Sequence, residues 1–438
     1  MQSIWTETVE FAPRFGAGGT YLCDVVVIGA GMTGLLTAYF LRKQGLHVVV
    51  LEADRIAAGQ TRNTTAKITC QHGLIYDRLI QEIGVQKAGL YARANQEAVE
   101  AYEHIIQRNG IECEFERLPA YLYSMAGEEE LVCEGQAACR LGLNAVLDHE
   151  AGLPFPVSAA LRYDGQAQFH PLRFLKGITD GLEIYEHSPV KRVRGQHVWT
   201  DHADFTADKI VFATHYPIRN VPGFYFLRQH QERSYVLALK GCKPLHGMYY
   251  SADKGGLSLR SSGDLLLLGG GSHRTGKQTV GHPYDYLLQK AHEYFPEGRE
   301  AGRWWAQDCM PHDGVPFIGR YSRYARDWFV ATGYQKWGMS SAMVAARLLS
   351  DMILGKKNPY EAVFTPQRLR WAGAGNFFMD VGASVKGLTG GLFHRPRCTH
   401  MGCRLHWNAD EQIWECPCHG SCFAHDGEVL CEPAKKSL

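Results

Sequence analysis

The N-terminal region contains a strand–glycine–helix pattern that few folds accommodate. Residues 24–28, Asp-Val-Val-Val-Ile, are mostly β-branched, as in a strand buried inside a parallel sheet. Gly-Ala-Gly-Met-Thr-Gly follows at residues 29–34, and then a helical pattern of apolar residues stops at Gly45. A second strand, residues 47–51, ends at Glu52. This order predicts a dinucleotide-binding fold.

Each glycine of the predicted turn has its own physical role. Gly29 permits the tight turn, Gly31 lets the backbone approach a pyrophosphate, and Gly34 lets the helix pack closely on the strand. The helix N-terminus offers N–H donors to the phosphates. Glu52 can accept hydrogen bonds from both hydroxyls of an adenosine ribose, and its charge would repel a 2′-phosphate. The motif therefore fits FAD or NAD and argues against NADP.

The composition is that of an ordinary globular protein with two or three domains. The chain has 438 residues, of which 45% are hydrophobic and 21% charged. Because 46 Lys and Arg balance 45 Asp and Glu, there is no basic field for nucleic acid or an anionic membrane. The first 23 residues lack the apolar core of a signal peptide, and no stretch reaches the ~18 apolar residues of a membrane span. We therefore expect a cytoplasmic protein.

Segments later in the chain favour FAD over NAD. Residues 208–214 form another buried-strand pattern that ends in a turn, placed as in flavoproteins with two dinucleotide folds. Residues 313–319 and a strand at 328–332 lead to a glycine-rich turn, after which a helix is predicted over residues 340–354. The positive end of such a helix would stabilise the negative pyrimidine end of a reduced flavin. The flavin contacts predicted from these segments are Gly314, Gly333, Lys336, Gly338 and Met339.

Two further motifs extend this pattern and carry a family resemblance. Thr-Arg-Asn-Thr-Thr-Ala-Lys at residues 61–67 resembles the polar loop that lies against the flavin in the D-amino-acid-oxidase-like family of FAD-dependent oxidoreductases. Gly-Gly-Gly-Ser-His at residues 269–273 resembles a turn at the edge of the substrate domain in that family. The likeness covers roughly residues 20–371. It implies that Thr64, Thr65 and Lys67 contact the flavin.

Six of the thirteen cysteines fall in the last 41 residues, which indicates metal binding or redox chemistry in a reducing compartment. The sequence reads C-x-H, then 15 residues, then C-x2-H, which resembles the two boxes of Rieske [2Fe–2S] proteins. Two thiolates bind one iron there and two imidazoles the other, raising the potential to about −150 to +300 mV. The resemblance implies the ligands Cys398, His400, Cys416 and His419. A tetrahedral zinc site is the alternative.

The cysteines and the length of this C-terminal region raise two further points. Cys403 and Cys418 match the pair that forms a loop-linking disulfide in respiratory-type Rieske proteins, and the sequence leaves both the thiol and the disulfide state open. Only 26 residues separate Trp371 from Cys398, too few for the β-sandwich base of a complete Rieske domain. So small a unit buries too little surface to be stable alone, and we expect it to dock on the flavoprotein body.

The predicted fold is therefore α/β, with an FAD-binding dinucleotide fold, an inserted antiparallel-sheet substrate domain and a small β cluster-binding subdomain. Residues 83–109 are predicted to be a helix, and residues 225–270 alternate strand-like runs with glycine turns. The stretch from Gly355 to about Trp371 resembles a linker. The predicted boundaries are 1–371 for the oxidoreductase (FAD-binding about 20–80, 165–225 and 305–371; substrate domain about 81–164 and 226–304) and 372–438 for the truncated Rieske subdomain.

Joining a flavin to a Rieske cluster would pair a two-electron acceptor with a one-electron carrier. By resemblance, the first hypothesis is an amine or amino-acid dehydrogenase that oxidises a C–N bond and passes electrons through the cluster to a one-electron carrier protein. A reductase with electrons entering through the cluster and a redox sensor with a structural metal site are the alternatives. Lys336 is the candidate catalytic residue, although a solvent-facing lysine is an equal interpretation.

Other polar residues near these motifs have weaker claims to a chemical role. His215 and Tyr216 follow the strand at residues 208–214 and are either polar groups near a cofactor or a packed turn. A structural ion pair is favoured over binding of a substrate carboxylate for three residues: Arg233, Arg260 and His273.

Overall fold

The computed structural model describes residues 3–277, 281–368 and 396–438. The helices in these ranges are α1 (Met32–Lys43), α2 (Tyr76–Asn109), α3 (Glu129–Arg140), α4 (Pro171–Ile178), α5 (Pro283–Tyr294), α6 (Gly338–Ile353) and α7 (Glu361–Phe364). Over the same ranges, none of the helices combines the length and the apolar character that crossing a membrane requires.

The strands of the described residues form three sheets. In chain order they are β1 (Gly19–Ile28), β2 (Val48–Leu51), β3 (Lys67–Ile68), β4 (Glu116–Ser124), β5 (Ala145–Asp148), β6 (Ala159–Gln168), β7 (Glu183–Tyr185), β8 (Arg192–Arg194), β9 (His197–Trp199), β10 (Ala203–Phe212), β11 (Gln229–Lys240), β12 (Met248–Ser251), β13 (Ser258–Ser262), β14 (Leu265–Arg274), β15 (Arg299–Pro311), β16 (Phe317–Ser322), β17 (Ala325–Thr332), β18 (His406–Asn408), β19 (Ile413–Glu415), β20 (Cys422–Phe423) and β21 (Val429–Cys431).

The first sheet confirms the predicted α/β architecture. Its strand order is β16-β17-β10-β1-β2-β7, with β9 attached to β10 and β8 to β9. The five strands from β17 to β7 run parallel, and β2 is buried along its whole length. Helix α1 connects β1 to β2 and packs against α6. The carboxyl ends of β1, β2 and β10 therefore meet at one edge, where ligands bind in open α/β sheets.

The second sheet has nine strands and is antiparallel except for one pair. Its order is β15-β11-β14-β13-β12-β4-β6-β3, with β5 paired to β6. Strands β12 and β4 run parallel, whereas the pairs among β11–β14 are antiparallel, as residues 225–270 predicted. The buried side chains between this sheet and α5 form a separate apolar core.

The glycine run at residues 269–273 is not the turn that the resemblance suggested. It lies inside β14, which continues to Arg274. A Cβ on Gly270 would lie 3.0 Å from the Leu287 side chain, and one on Gly271 would lie 3.0 Å from Pro283. The glycines therefore serve the close approach of α5 to the strand, and a bulge in the pairing with β11 accommodates them.

The predicted helix over residues 83–109 is preceded by a further helical stretch. Helix α2 spans Tyr76–Asn109 with a kink at Gly84, at φ 78°, and the part after the kink matches the prediction. Its first turn is held by Glu134 of α3, whose carboxylate accepts hydrogen bonds from the backbone N–H groups of residues 75–77. This cap comes from a distant part of the chain, which explains why a local pattern misses it.

The chain after Gly355 is packed, which corrects the prediction of a linker. Helix α7 buries Val363 and Phe364, and Arg368 donates to both carboxylate oxygens of Asp313 at 2.7 and 3.0 Å. The predicted boundary at residues 371–372 and the glycine-rich run after it lie outside the described residues. The third sheet, antiparallel with the order β18-β19-β20-β21, lies within the predicted cluster-binding region.

Candidate functional site

The glycine-rich turn after β1 has the geometry that the motif predicts. Gly29 adopts φ +107°, and a Cβ there would lie 2.5 Å from the carbonyl oxygen of Ala213 at the end of β10. A Cβ on Gly34 would lie 1.9 Å from the carbonyl oxygen of Gly29. A Cβ on Gly31 would meet only the Thr61 hydroxyl, at 3.2 Å. Side chains are therefore excluded at Gly29 and Gly34 by backbone atoms, and Gly31 keeps the start of α1 accessible.

Glu52 stands at the end of β2, facing this turn. Its carboxylate accepts hydrogen bonds from the backbone N–H groups of Ala30 at 2.7 Å and Asp54 at 3.0 Å. Burial raises the pKa of Glu52, while these backbone hydrogen bonds oppose the shift. The carboxylate is thus fixed beside the turn, where a dinucleotide ribose would lie.

The polar loop at residues 61–67 is held by residues of the nine-stranded sheet. Arg260 donates to the carbonyl oxygens of Thr65 and Ala66 at 2.9 and 2.8 Å, so it supports the loop and forms no ion pair there. The Thr64 hydroxyl accepts from the N–H of Ala66 at 2.9 Å. Lys67 donates to the carbonyl oxygen of Tyr249 at 2.7 Å, and burial together with nearby Arg260 lowers its pKa to about 7. The loop is therefore rigid.

The second predicted flavin-facing segment ends at α6, which begins at Gly338, two residues before the prediction. Gly314 and Gly333 adopt φ values of +63° and +78°. The Tyr334 hydroxyl lies 3.0 Å from the Thr33 hydroxyl of α1, so the segment is tied to the nucleotide turn. The Met339 carbonyl oxygen accepts a hydrogen bond from Tyr102 at 3.0 Å.

A cavity of about 310 Å³ opens between these two segments. Its lining includes His72, just after the polar loop, and Lys336 and Trp337, just before α6. The His72 ring stacks on Trp337 at a centroid distance of 4.8 Å, and Tyr250 meets the same indole edge-on at 5.0 Å. Burial lowers the pKa of His72 to about 3, which keeps this imidazole neutral. The cavity thus has one continuous aromatic wall.

Charged side chains also line the cavity. Lys336, which lines it, donates to the Ser272 hydroxyl at 2.6 Å. Glu232 also lines the cavity, and its hydrogen bond with His230 lowers the pKa of this carboxyl group. Asp308 of β15 lies opposite Glu232 of β11 in the strand register. Burial raises the pKa of Asp308 to about 7, although the positive charge of Lys336 opposes this shift. Asp308, which is not itself in the lining, therefore has a pKa near neutral pH.

The two C-terminal boxes form two loops that bring the predicted ligands together. Cys398 and Cys416 are buried, and the neighbouring Cys416 thiol raises the pKa of Cys398. The rings of His400 and His419 lie 5.0 Å apart and nearly perpendicular. The Nδ1 atoms of both rings are buried without a hydrogen-bond partner. Burial, as the largest cause, lowers the pKa of each histidine to about 4, so both are neutral, as metal-binding imidazoles are. These features fit the predicted ligand set, which stays a prediction.

The remaining cysteines of this region are thiols in the structure. The sulfur atoms of Cys403, Cys416 and Cys418 lie within 4.8 Å of one another. The suggested bridge between Cys403 and Cys418 is not formed, and both residues are free. Cys422 and Cys431, predicted to be ordinary thiols, face each other across β20 and β21 and are also free.

The cluster-binding region docks on the nine-stranded sheet, as its small size predicted. Gln231 and Gln307 donate to the backbone oxygens of His419 and Gly420, both at 2.8 Å. Glu415 forms an ion pair with buried Arg233 and accepts from the N–H of Gly276 at 2.9 Å. The ion-pair interpretation of Arg233 is therefore confirmed. The docking residues Gln231 and Gln307 were not predicted, because their side chain directions follow only from the strand register.

Strand β11 places the cavity and the cluster-binding region on opposite faces of one sheet. Glu232 lines the cavity, whereas its neighbours Gln231 and Arg233 hold the cluster-binding region. Successive side chains of a strand point to opposite faces, so a single layer of sheet separates the two sites.

Three candidates lie outside the cavity lining. His273 stacks on Tyr235 and hydrogen-bonds the carbonyl oxygen of Gly271, and it forms no ion pair with any residue that the structure describes. His215 Nε2 and the Tyr216 hydroxyl are buried without a hydrogen-bond partner. His215 and Tyr216 are therefore a packed turn with two unused polar atoms.

Comparisons with known proteins agree with both halves of this arrangement. Residues 24–352 match the family model described as FAD dependent oxidoreductase, and residues 393–438 match the model of the Rieske [2Fe-2S] domain. YhfW of Bacillus subtilis (strain 168), whose name describes a Rieske 2Fe-2S iron-sulfur protein, is 35% identical over 95% of this chain and 92% of its own length.

Two further relatives cover the body of the chain. The gamma-glutamylputrescine oxidoreductase of Escherichia coli (strain K12) is 23% identical over 81% of this chain and 88% of its own length. A crystal structure of glycine oxidase from Geobacillus kaustophilus superposes with a TM-score of 0.67 at 19% identity, covering 80% of this chain and 99% of that one. This likeness shows a shared fold.

Proposed function

Because the chain belongs to the FAD dependent oxidoreductase family and ends in a Rieske domain, we propose that it oxidises a C–N bond of an amine or amino acid and passes the electrons singly through the cluster to an acceptor. The protein is an FAD-dependent oxidoreductase, and FAD and a [2Fe–2S] cluster are its cofactors. FAD supplies a two-electron acceptor when bound, and the cluster supplies a one-electron carrier.

The residues proposed to hold the cofactors are those that the motifs predicted. Cys398, His400, Cys416 and His419 would bind the cluster, and the unpaired Nδ1 atoms of the two neutral imidazoles support this assignment. The residues proposed for FAD are Gly29, Gly31, Gly34, Glu52, Thr64, Thr65, Lys67, Gly314, Gly333, Lys336, Gly338 and Met339. The helix N-termini of α1 and α6 would stabilise negative charge on FAD.

The alternation along β11 is the observation that carries the proposal. Glu232 faces the cavity, and the residues on either side of it hold the loop that contains His419. A substrate bound in the cavity and a cluster bound at His419 would be separated by one layer of sheet. Electrons could then leave the flavoprotein body without a movement of the cluster-binding region.

The cavity residues have distinct proposed roles. The aromatic wall of His72, Tyr250 and Trp337 would pack against the carbon skeleton of the substrate and exclude water. Lys336 would orient the substrate through its ammonium group. Asp308 is not in the lining but is the cross-strand neighbour of the cavity residue Glu232, and with a pKa of about 7 it could hold the proton released from the substrate nitrogen. The relatives that act on gamma-glutamylputrescine and glycine support the choice of a C–N bond.

The test is anaerobic turnover with a one-electron dye. Gamma-glutamylputrescine, putrescine and glycine would be screened, and we expect at least one to bleach the flavin absorbance and to reduce the dye. In Lys336→Met, kcat/KM for that substrate should fall at least tenfold, whereas Lys290→Met, a surface control, should leave it unchanged. Flavin reduction only by electrons that enter through the cluster would contradict the proposal and favour a reductase. Absence of turnover with every substrate would contradict it and favour a redox sensor.

A further inference from the structure

The flavoprotein body contacts the outer edges of both predicted histidine ligands. His400 Nε2 lies 3.0 Å from the side-chain oxygen of Asn220. His419 lies against Phe226, whose ring meets the imidazole edge-on at 5.7 Å. Asn220 and Phe226 belong to one loop, between β10 and β11. Both imidazoles are therefore contacted by a segment outside the cluster-binding region.

This loop begins at the nucleotide turn. The N–H of Ala213 donates to the carbonyl oxygen of Ile28 at 2.9 Å, and the Ala213 oxygen lies against Gly29. Seven residues further on, Asn220 meets His400. One short segment of backbone thus touches the proposed FAD site at one end and the proposed cluster site at the other.

The state of His400 Nδ1 decides which atom donates in the hydrogen bond between His400 Nε2 and Asn220. His400 Nδ1 is buried and has no hydrogen-bond partner, which leaves it as the atom available to iron. A neutral imidazole that binds a metal through Nδ1 carries its proton on Nε2. Nε2 is therefore the donor and the Asn220 oxygen is the acceptor.

We propose that Asn220 is a positioning residue of the cluster: by accepting the Nε2–H hydrogen bond, it fixes the His400 ring and sets the reduction potential. The inference rests on the proposed ligand assignment. An acceptor on the outer N–H raises the basicity of a ligating imidazole, which favours the oxidised cluster. Removing the acceptor should raise the midpoint potential, and replacing it with a carboxylate should lower it.

The experiment is an EPR-monitored redox titration of the full-length protein at one fixed pH. Asn220→Ala should raise the midpoint potential, and the isosteric Asn220→Asp should lower it. Loss of one such hydrogen bond changes the equilibrium about tenfold, which is ~59 mV for a one-electron couple. Asn358→Ala is the matched control, because Asn358 hydrogen-bonds Asp351 and Tyr360 in the body. Flavin content should match the unaltered protein throughout.

The possible outcomes separate the inference from the proposal on which it rests. An unaltered protein without iron and without a cluster signal would remove the ligand assignment itself. A normal signal with both variants unchanged, or shifted in the same direction, would overturn the role of Asn220. If Asn220→Ala loads no cluster, Asn220→Asp decides alone: a lower potential supports the inference, and an unchanged or higher potential overturns it.

Discussion

Arg233, on the nine-stranded sheet of the body, forms a fully buried ion pair with Glu415 of the cluster-binding region. The two side chains are 0% and 3% exposed. Arg233 also donates to Gln307 and to the Cys422 sulfur, both at 3.0 Å. One guanidinium therefore joins the sheet, the carboxylate and a thiol beside the cluster boxes, and the cluster-binding region is fixed to the body.

Breaking this pair should release the cluster-binding region. Glu415→Gln leaves the Arg233 charge buried without compensation, which should cost about 3–5 kcal/mol of unfolding free energy. Chemical denaturation and the iron-to-flavin ratio would measure the loss. Glu300→Gln is the control, because its pair with Arg303 is substantially exposed and is worth about 0–1 kcal/mol. Equal stability of the two variants would contradict the fixed docking.

Gly276 provides a test of the same contact from the backbone. It adopts φ +76°, and a Cβ there would lie 2.5 Å from the backbone nitrogen of Pro417, between the proposed ligands of the second box. Gly276→Ala should lower the iron content by at least half and leave the flavin content unchanged. Gly263→Ala, at φ +57° with open space around it, carries similar backbone strain without the clash and should retain iron. Iron retained in both variants would be the contrary result.

Glu52 should determine how tightly FAD is held. Glu52→Ala removes the acceptor for the Ala30 and Asp54 N–H groups and the proposed acceptor for the ribose. Loss of one charged hydrogen bond is worth about 1.5–3 kcal/mol, so FAD affinity should fall about 10- to 100-fold. Flavin fluorescence released on dilution measures it. Glu129 is an exposed residue of α3, so Glu129→Ala should bind FAD as tightly as the unaltered protein. Equal FAD affinities in Glu52→Ala and Glu129→Ala would contradict this role of Glu52.

Lys67 should make stability depend on pH in the alkaline range. Burial lowers its pKa in the folded protein to about 7, whereas an unfolded lysine has a pKa of ~10.4. Between pH 7 and pH ~10.4, Lys67 is protonated in the unfolded chain but largely deprotonated in the folded protein. The free energy of unfolding therefore increases as the pH rises, by up to about 1.4 kcal/mol per pH unit. Lys67→Met should lack that gain. Denaturation midpoints of the unaltered protein and of Lys67→Met, measured at pH 7.5 and 9, would show this difference. Equal changes of the midpoint with pH in the two proteins would contradict the prediction.

The features that were predicted correctly from the sequence depend on residues that are consecutive in the chain. The turn from Gly29 to Gly34 and the box at residues 416–419 each depend on a few consecutive positions, whose local conformation is set by sterics. Asn220, Gln231 and Gln307 lie far from the cysteines in the chain, and only the register of β11 and β15 brings the two glutamines to the cluster-binding region. No local pattern reports such contacts.

The same reason explains the predictions that were wrong. The run at residues 269–273 resembled a turn of the D-amino-acid-oxidase-like family, but here its glycines admit α5 against a strand. The stretch from Gly355 to about Trp371 resembled a linker because it contains prolines and follows the last predicted helix, yet Arg368 anchors it to Asp313. In both cases the deciding partner is distant in sequence.

The most direct test of the central claim is rapid-freeze EPR after anaerobic mixing with an amine that bleaches the flavin. The account predicts that the reduced cluster signal, with an average g value below that of an all-cysteine cluster, rises as the flavin absorbance falls. In Cys416→Ser the flavin should still bleach while the signal is absent. A bleached flavin beside a cluster that stays oxidised in the unaltered protein would contradict electron transfer between the two sites.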